Sequence, residues 1–259
     1  MEEVDYSTQK GVADEKSFDV VVERFGGERI DTLIKRKGVK QADYLFRAQK
    51  VVAEHKFLET EFGHTPEAEK KLDAIFSKFS PNEEGDYPPE LFNELRGVLR
   101  APLQRIIKKA NTQIRDTKQE LALVGYEGVL LLVNDNFRAP PPALVIGLVS
   151  DILSQGLYKS IRAVVYITNH FVELPDDPNA LLLWVPMYSD KASDDLAPFV
   201  NDLGRLHGDY TEEVLGKFTS RSEHEFLDLR PALTVTGPKR NYQYIDPEPN
   251  EEEDRVEHP

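Results

Sequence analysis

Apolar residues fall at helical spacing at Phe18, Val21, Val22 and Phe25 and again, after Gly26-Gly27, at Ile30, Leu33 and Ile34. The chain is therefore expected to enter its fold through a broken helix or two short elements. Two short strands are expected next, roughly Ala42 to Phe46 and Val51 to Leu58, joined by the polar connection Arg47-Ala48-Gln49-Lys50 in a hairpin. Pro66 and Pro89 suit the first turns of helices at about 66 to 79 and 89 to 99, with a loop from Ser80 to Asp86 between them. A long helix over about Pro102 to Leu123 follows from the stripe Leu103, Ile106, Ile107, Ala110, Ile114, Thr117 and Leu121. Gly128 to Val133 and Arg162 to Thr168 read as strands buried on both faces, with a helix from Pro140 to Gln155 between them. Leu181 to Pro186 gives one more strand, and Leu196 to Lys217 a closing helical region. Strands alternating with helices predict an α/β fold in which a mixed central sheet is flanked by helices.

The segments 1–17 and 246–259 are polar, acidic and without periodicity, so they are expected to be mobile ends outside a single domain spanning 18–245. The chain has no cysteine, which excludes disulfides, thiolate zinc sites and cysteine nucleophiles. A metal site must use oxygen or imidazole ligands. The acidic start Met1-Glu2-Glu3-Val4-Asp5 fits no secretory or transit signal, and no apolar run approaches the roughly 20 residues that span a bilayer. A cytoplasmic protein without a membrane partner is expected.

A net charge of -14 counts against a nucleic-acid partner, because affinity for phosphate chains comes largely from lysine and arginine. Its distribution changes that picture. Residues 246–259 carry seven acids and one arginine, and residues 1–23 carry seven acids and two lysines, leaving a body of only -3. Within the body, residues 29–56 hold eight Lys/Arg against three acids, and residues 96–118 hold seven against one. A lone basic run is usually a solvated helix face. Two runs flanking a carboxylate motif suggest a surface facing phosphates.

The motif is Asp43-Tyr44-Leu45-Phe46 followed by Val51-Val52-Ala53-Glu54-His55-Lys56-Phe57-Leu58. Alternation along a strand sends Glu54 and Lys56 to one side and Ala53, His55 and Phe57 to the other. If the hairpin brings Asp43 opposite Glu54, two carboxylates converge beside a lysine. That suits magnesium, which takes about six oxygens and usually only one or two protein carboxylates. Taken alone, a Glu and a Lys two apart are more often an ion pair on an exposed strand face. These strands are too apolar to be fully exposed, and charges in such places tend to mark a site.

The spacing of Asp43 and Glu54-His55-Lys56 resembles the D...(E/D)xK motif of the PD-(D/E)XK, or restriction-endonuclease-like, superfamily, over about residues 18 to 170. The resemblance implies a restriction-endonuclease-like fold and a magnesium-dependent nuclease, with manganese as a substitute, acting on DNA. It implies Asp43, Glu54, Lys56 and Gln113 as catalytic residues and Asp43, Glu54 and His55 as the metal set, while Arg105 and Lys109, in the basic run 96–118, are the expected contacts to nucleic acid. Ala42 stands where the motif has a proline, and two helices rather than one are expected between Lys56 and the helix of Gln113. A homodimer would suit double-strand cutting. The rival reading is a non-catalytic binding or adaptor protein on the same fold. Other candidates are weaker: Glu23 or Glu28 as a further carboxylate, a meeting of His207, Asp209 and His224, and Trp184 as a base-stacking platform rather than core.

Overall fold

The computed structural model describes residues 9–36, 38–59, 66–82, 88–138, 140–173 and 179–222. The first helix, α1 (Glu15–Arg24), is started by Asp14, whose carboxylate accepts the Ser17 N–H and so satisfies one of the free donors of the first turn. It buries Phe18, Val21 and Val22. The two-residue strand β1 (Glu28–Arg29) and a short 3-10 turn (Ile30–Thr32) follow, in agreement with an entry through broken elements. The domain boundary expected at residue 18 falls inside α1, and Val12 and Ala13 ahead of it are already buried. The expected ends at 246–259 lie outside the described residues, as do residues 223–245.

Strands β2 (Tyr44–Phe46) and β3 (Val51–Leu58) form the antiparallel hairpin. Helices α2 (Pro66–Phe76) and α3 (Pro89–Glu120) lead to β4 (Glu127–Asn134), and α4 (Pro142–Leu153) leads to β5 (Ala163–Thr168). The small pair β6 (Val172–Glu173) and β7 (Ala180–Leu181) precedes β8 (Trp184–Tyr188) and the closing helix α5 (Leu196–Leu215). The six-stranded sheet runs β1-β2-β3-β4-β5-β8. β3, β4 and β5 are parallel neighbours and the other pairings are antiparallel, so the sheet is mixed. Side chains from α3 and α4 fill the core on one face, where Leu103, Ile107, Ile114, Val145 and Val149 meet Val52, Leu130, Leu132 and Val164. α1 and α5 fill the other, where Phe18, Val21, Phe199 and Leu203 meet Ala53, Leu131 and Val165. An α/β fold with a helix-flanked mixed sheet is thus present.

Two expected elements differ. The helices expected at 89–99 and 102–123 are one, because α3 runs straight through Pro102. A proline inside a helix costs on the order of 3 kcal/mol. Here it is bracketed by burial on both sides: Leu91 precedes it and Leu103, Ile107, Ala110 and Ile114 follow, each worth roughly 1.5–3 kcal/mol for the larger side chains. Arg100 spans the position, donating to Gln104 and to Asp151 of α4. Among the described residues, α2 is consequently the one helix between β3 and α3. The strand expected at 181–186 is divided into β7, which pairs with β6, and β8, which pairs with β5; between them Leu183 still lies opposite Thr168, accepting its amide N–H but donating its own N–H to the Thr168 hydroxyl and not to a backbone carbonyl.

Gly128 fixes how closely α3 approaches the sheet. A Cβ there would overlap the Ser160 carbonyl oxygen and stand 2.7 Å from Ile114 Cγ2. Gly128→Ala should therefore destabilise the fold by about 3 kcal/mol in chemical denaturation, as overpacking against backbone cannot be relieved by a rotamer. Gly97→Ala, in α3 with open space at its Cβ, should stabilise by about 0.5–1 kcal/mol. Equal effects at the two positions would contradict this packing.

Candidate active site

β3 is hydrogen-bonded on both sides, to β2 and to β4, so its alternation is fixed. Val52 and Leu58 enter the core beneath α3, while Ala53 and Phe57 face α1 and α5. Glu54 and Lys56 share the α3 face with Val52 and Leu58. Glu54 is completely buried and Lys56 is 18% exposed. The Lys56 ammonium contacts Glu54 Oε1 and lies 3.3 Å from the His55 carbonyl oxygen. The second carboxylate oxygen, Glu54 Oε2, is buried with no hydrogen-bond partner.

Tyr44 pairs with Ala53, and continuing that register sets Asp43 across from Glu54. The Asp43 N–H donates to the Ala53 carbonyl at 3.2 Å, and Asp43 Oδ2 accepts the His55 N–H at 2.7 Å. Burial and the charge of Asp43 push the Glu54 carboxyl up to about 8, against the pull of Lys56 and Lys109. Asp43 is also raised, chiefly by burial, although the His55 amide and Lys56 oppose the shift. A carboxylate pair is thus held where its ionised form is costly, next to an open cleft of about 290 Å³ lined by Glu15, Asp43, His55, Lys56, Phe57 and Glu59.

The remaining candidates divide. Lys109 lies on α3 within electrostatic reach of Glu54, and Arg105 is exposed one turn before it. Gln113, one turn later, donates through Nε2 to the Gln41 carbonyl at 2.8 Å, and its Oε1 is buried without a partner. His55 departs from expectation. Its ring lies on the opposite face, 4.8 Å from the ring of Phe18 and 4.6 Å from that of Phe57, because strand alternation separates it from Glu54. Burial drives the imidazole pKa down to about 3, and what His55 presents beside Lys56 is its carbonyl oxygen. α1 does supply a carboxylate to the cleft, but it is Glu15. Glu28 is tied to Arg47, and Glu23 is exposed on α1. His207 is buried, Asp209 pairs with Arg221, and His224 lies outside the described residues. Trp184 is stacked on Phe18 at 6.5 Å and packs flat against Gly204.

Among the described residues no three of His, Asp and Glu converge closely enough to hold a metal by themselves. Asp43 lies within electrostatic reach of Glu54, and the Lys56 ammonium links Glu54 Oε1 with the His55 carbonyl. Such a partial, all-oxygen set, including an orphaned buried carboxylate oxygen, fits magnesium or manganese, which take one or two protein carboxylates and complete their shell with water and phosphate. Among the described residues no helix is long and apolar enough to cross a membrane. No family model, curated protein or solved structure matches this chain.

The raised Glu54 pKa has a consequence for stability. The folded chain holds this proton up to about pH 8, whereas the unfolded chain releases it near 4.5, so the contribution is complete below about 4.5 and is lost as pH rises through 8. Glu54→Gln should match the wild type in stability near pH 5 and exceed it at pH 9 by on the order of 2–4 kcal/mol. Urea titrations at pH 5, 7 and 9 read this directly. An equal alkaline loss in both proteins would rule out a buried, proton-holding Glu54.

Proposed function

We propose that this protein is a metal-dependent phosphodiester hydrolase acting on DNA, with Asp43, Glu54 and Lys56 at its reacting centre. The observation that carries this reading is the fully buried Glu54 carboxylate, one oxygen without a partner, behind Asp43 and Lys56, which line an open cleft. A surface ion pair needs no burial and contributes at most about 1 kcal/mol, so stability alone gives little reason to place three charges here. Strained electrostatics of this kind cluster at functional sites.

Asp43, Glu54 and the His55 carbonyl would hold the ion. When bound, the ion lowers the pKa of a coordinated water and polarises the phosphate. The Asp43 carboxylate is oriented in advance by the His55 amide, so it need not be ordered on binding. Lys56 reaches the cleft and can offset the negative charge that grows on the non-bridging phosphate oxygens while orienting the attacking water. Lys109 and Arg105, spaced by four residues on α3, extend positive charge away from Glu54 along a path that successive phosphates could follow.

A second reading, a binding or adaptor protein without catalysis, is favoured by one observation: the Lys56 ammonium contacts Glu54 Oε1 and so supplies a protein partner for that carboxyl. The two readings part on mutation. Glu54→Gln removes a ligand charge, so manganese affinity by calorimetry and cleavage of labelled DNA should fall together. Lys56→Ala should retain metal binding while the rate falls on the order of a hundredfold or more. A wild type that binds DNA but neither cleaves single- or double-stranded DNA nor binds manganese establishes the second reading instead. Replacing Arg105 and Lys109 with alanine should flatten the salt dependence of DNA binding by roughly one log-log unit per lost contact. An unchanged slope removes α3 from the interface.

A further inference from the structure

Thr117 lies in the hydrophobic stripe of α3 and is fully buried. A valine would fill that space without bringing a hydroxyl into an apolar core. Its Oγ1 accepts the N–H of Ala42 at 2.7 Å in a buried contact. One helical turn earlier, Gln113 Nε2 donates to the carbonyl oxygen of Gln41 at 2.8 Å. The Gln41 carbonyl and the Ala42 N–H belong to the same peptide unit, so α3 grips both polar groups of the plane that leads into Ala42, one residue ahead of Asp43.

The geometry points to Thr117 as a positioning residue for Asp43, acting with Gln113 as a clamp on the Gln41–Ala42 peptide. The rest of the local backbone is held from other directions. The Ile30 N–H donates to the Asp43 carbonyl, and the Asp43 N–H donates to Ala53. What the clamp adds is the level at which the Asp43 carboxylate meets the His55 amide and faces Glu54. Ala42 is 1% exposed, so its N–H cannot turn to water, and without the Thr117 oxygen it would be orphaned in the core. A proline at position 42 would have no N–H to satisfy. Ala42 and Thr117 therefore form a matched pair, in which one residue brings a buried donor and the other its acceptor.

This inference rests on reading Asp43 as a site carboxylate, but its readout does not require metal or turnover. Hydrogen exchange followed by NMR reports the His55 amide, which is bonded to Asp43, against amides at the centre of β5 such as Val165 as internal reference. In Thr117→Val, His55 should exchange about tenfold faster relative to Val165, the loss expected for one hydrogen bond. Thr117→Ser, which keeps the oxygen, should stay within about twofold of the wild type. Combining Thr117→Val with Ala42→Pro removes donor and acceptor together and should bring His55 back towards wild-type protection. If the proline variant does not fold, the Val and Ser variants decide the matter. Equal acceleration of His55 and Val165 in Thr117→Val means general destabilisation, and it overturns the positioning role. Manganese affinity, measured on the same proteins, should weaken about tenfold in Thr117→Val alone. A wild type that binds no manganese defeats the metal reading, yet leaves the exchange comparison to decide Thr117. A wild type that binds it as tightly as Thr117→Val defeats the clamp.

Discussion

Burying the Glu54 carboxylate in the middle of an apolar strand is the constraint to which the surrounding structure answers. Moving an ionised carboxylate out of water costs several kcal/mol even after relaxation. Asp43, brought across the hairpin, makes the cost larger, and Lys56 and Lys109 return part of it. Each of those neighbours depends on a feature of the fold. Lys56 shares a face with Glu54 because β3 is paired on both sides and cannot rotate. Lys109 is at hand because α3 lies over β3, at a closeness permitted by Gly128 at the start of β4. Asp43 is in place because β2 begins one residue later and α3 grips the Gln41–Ala42 peptide just upstream of it.

The two faces of β3 show how differently one strand treats its polar residues. On the α1 and α5 side, His55 is packed among Phe18, Tyr44 and Phe57 and held neutral by burial, so that face behaves as core. On the α3 side, Glu54 keeps an oxygen without a partner beside Lys56, which also reaches the cleft lined by Glu15, Asp43 and Glu59. Unsatisfied buried carboxylate oxygens are rare in proteins because they are expensive. Here the orphaned oxygen lies beneath Lys56, whose neighbours Asp43 and His55 line the cleft with it, and that adjacency is what ties the energetics to chemistry.

Much of this was legible in the sequence. The period of two and the bounding polar residues mark β3 at its true limits, Val51 to Leu58, and the alternation rule alone sets the His55 ring on the face opposite Glu54 and Lys56, against its grouping with them as a metal ligand. The helical stripe from Leu103 onward placed Lys109, Gln113 and Thr117 on one helix. Other features were hidden. Pro102 argued for a break that tertiary burial overrode, since local propensity does not know that Leu91 before it and Leu103 after it are both buried. The cap formed by Asp14 and Ser17 would have started α1 before Phe18 and drawn notice to Glu15, whose place at the cleft depends on a contact between distant elements. Thr117 read as one more member of an apolar stripe, because nothing in the pattern reveals that a peptide unit 75 residues away supplies its partner.

The central claim is that the oxygens gathered around Glu54 form a cation site built into the sheet. A crystal of the wild-type protein soaked in manganese, with data collected at the metal's absorption edge, tests it most directly. An anomalous peak within coordinating distance of the Asp43 and Glu54 carboxylates, absent in Glu54→Gln, is the predicted result. A peak confined to surface carboxylates, or no peak with Lys56 still seated on Glu54 in saturating manganese, would contradict it.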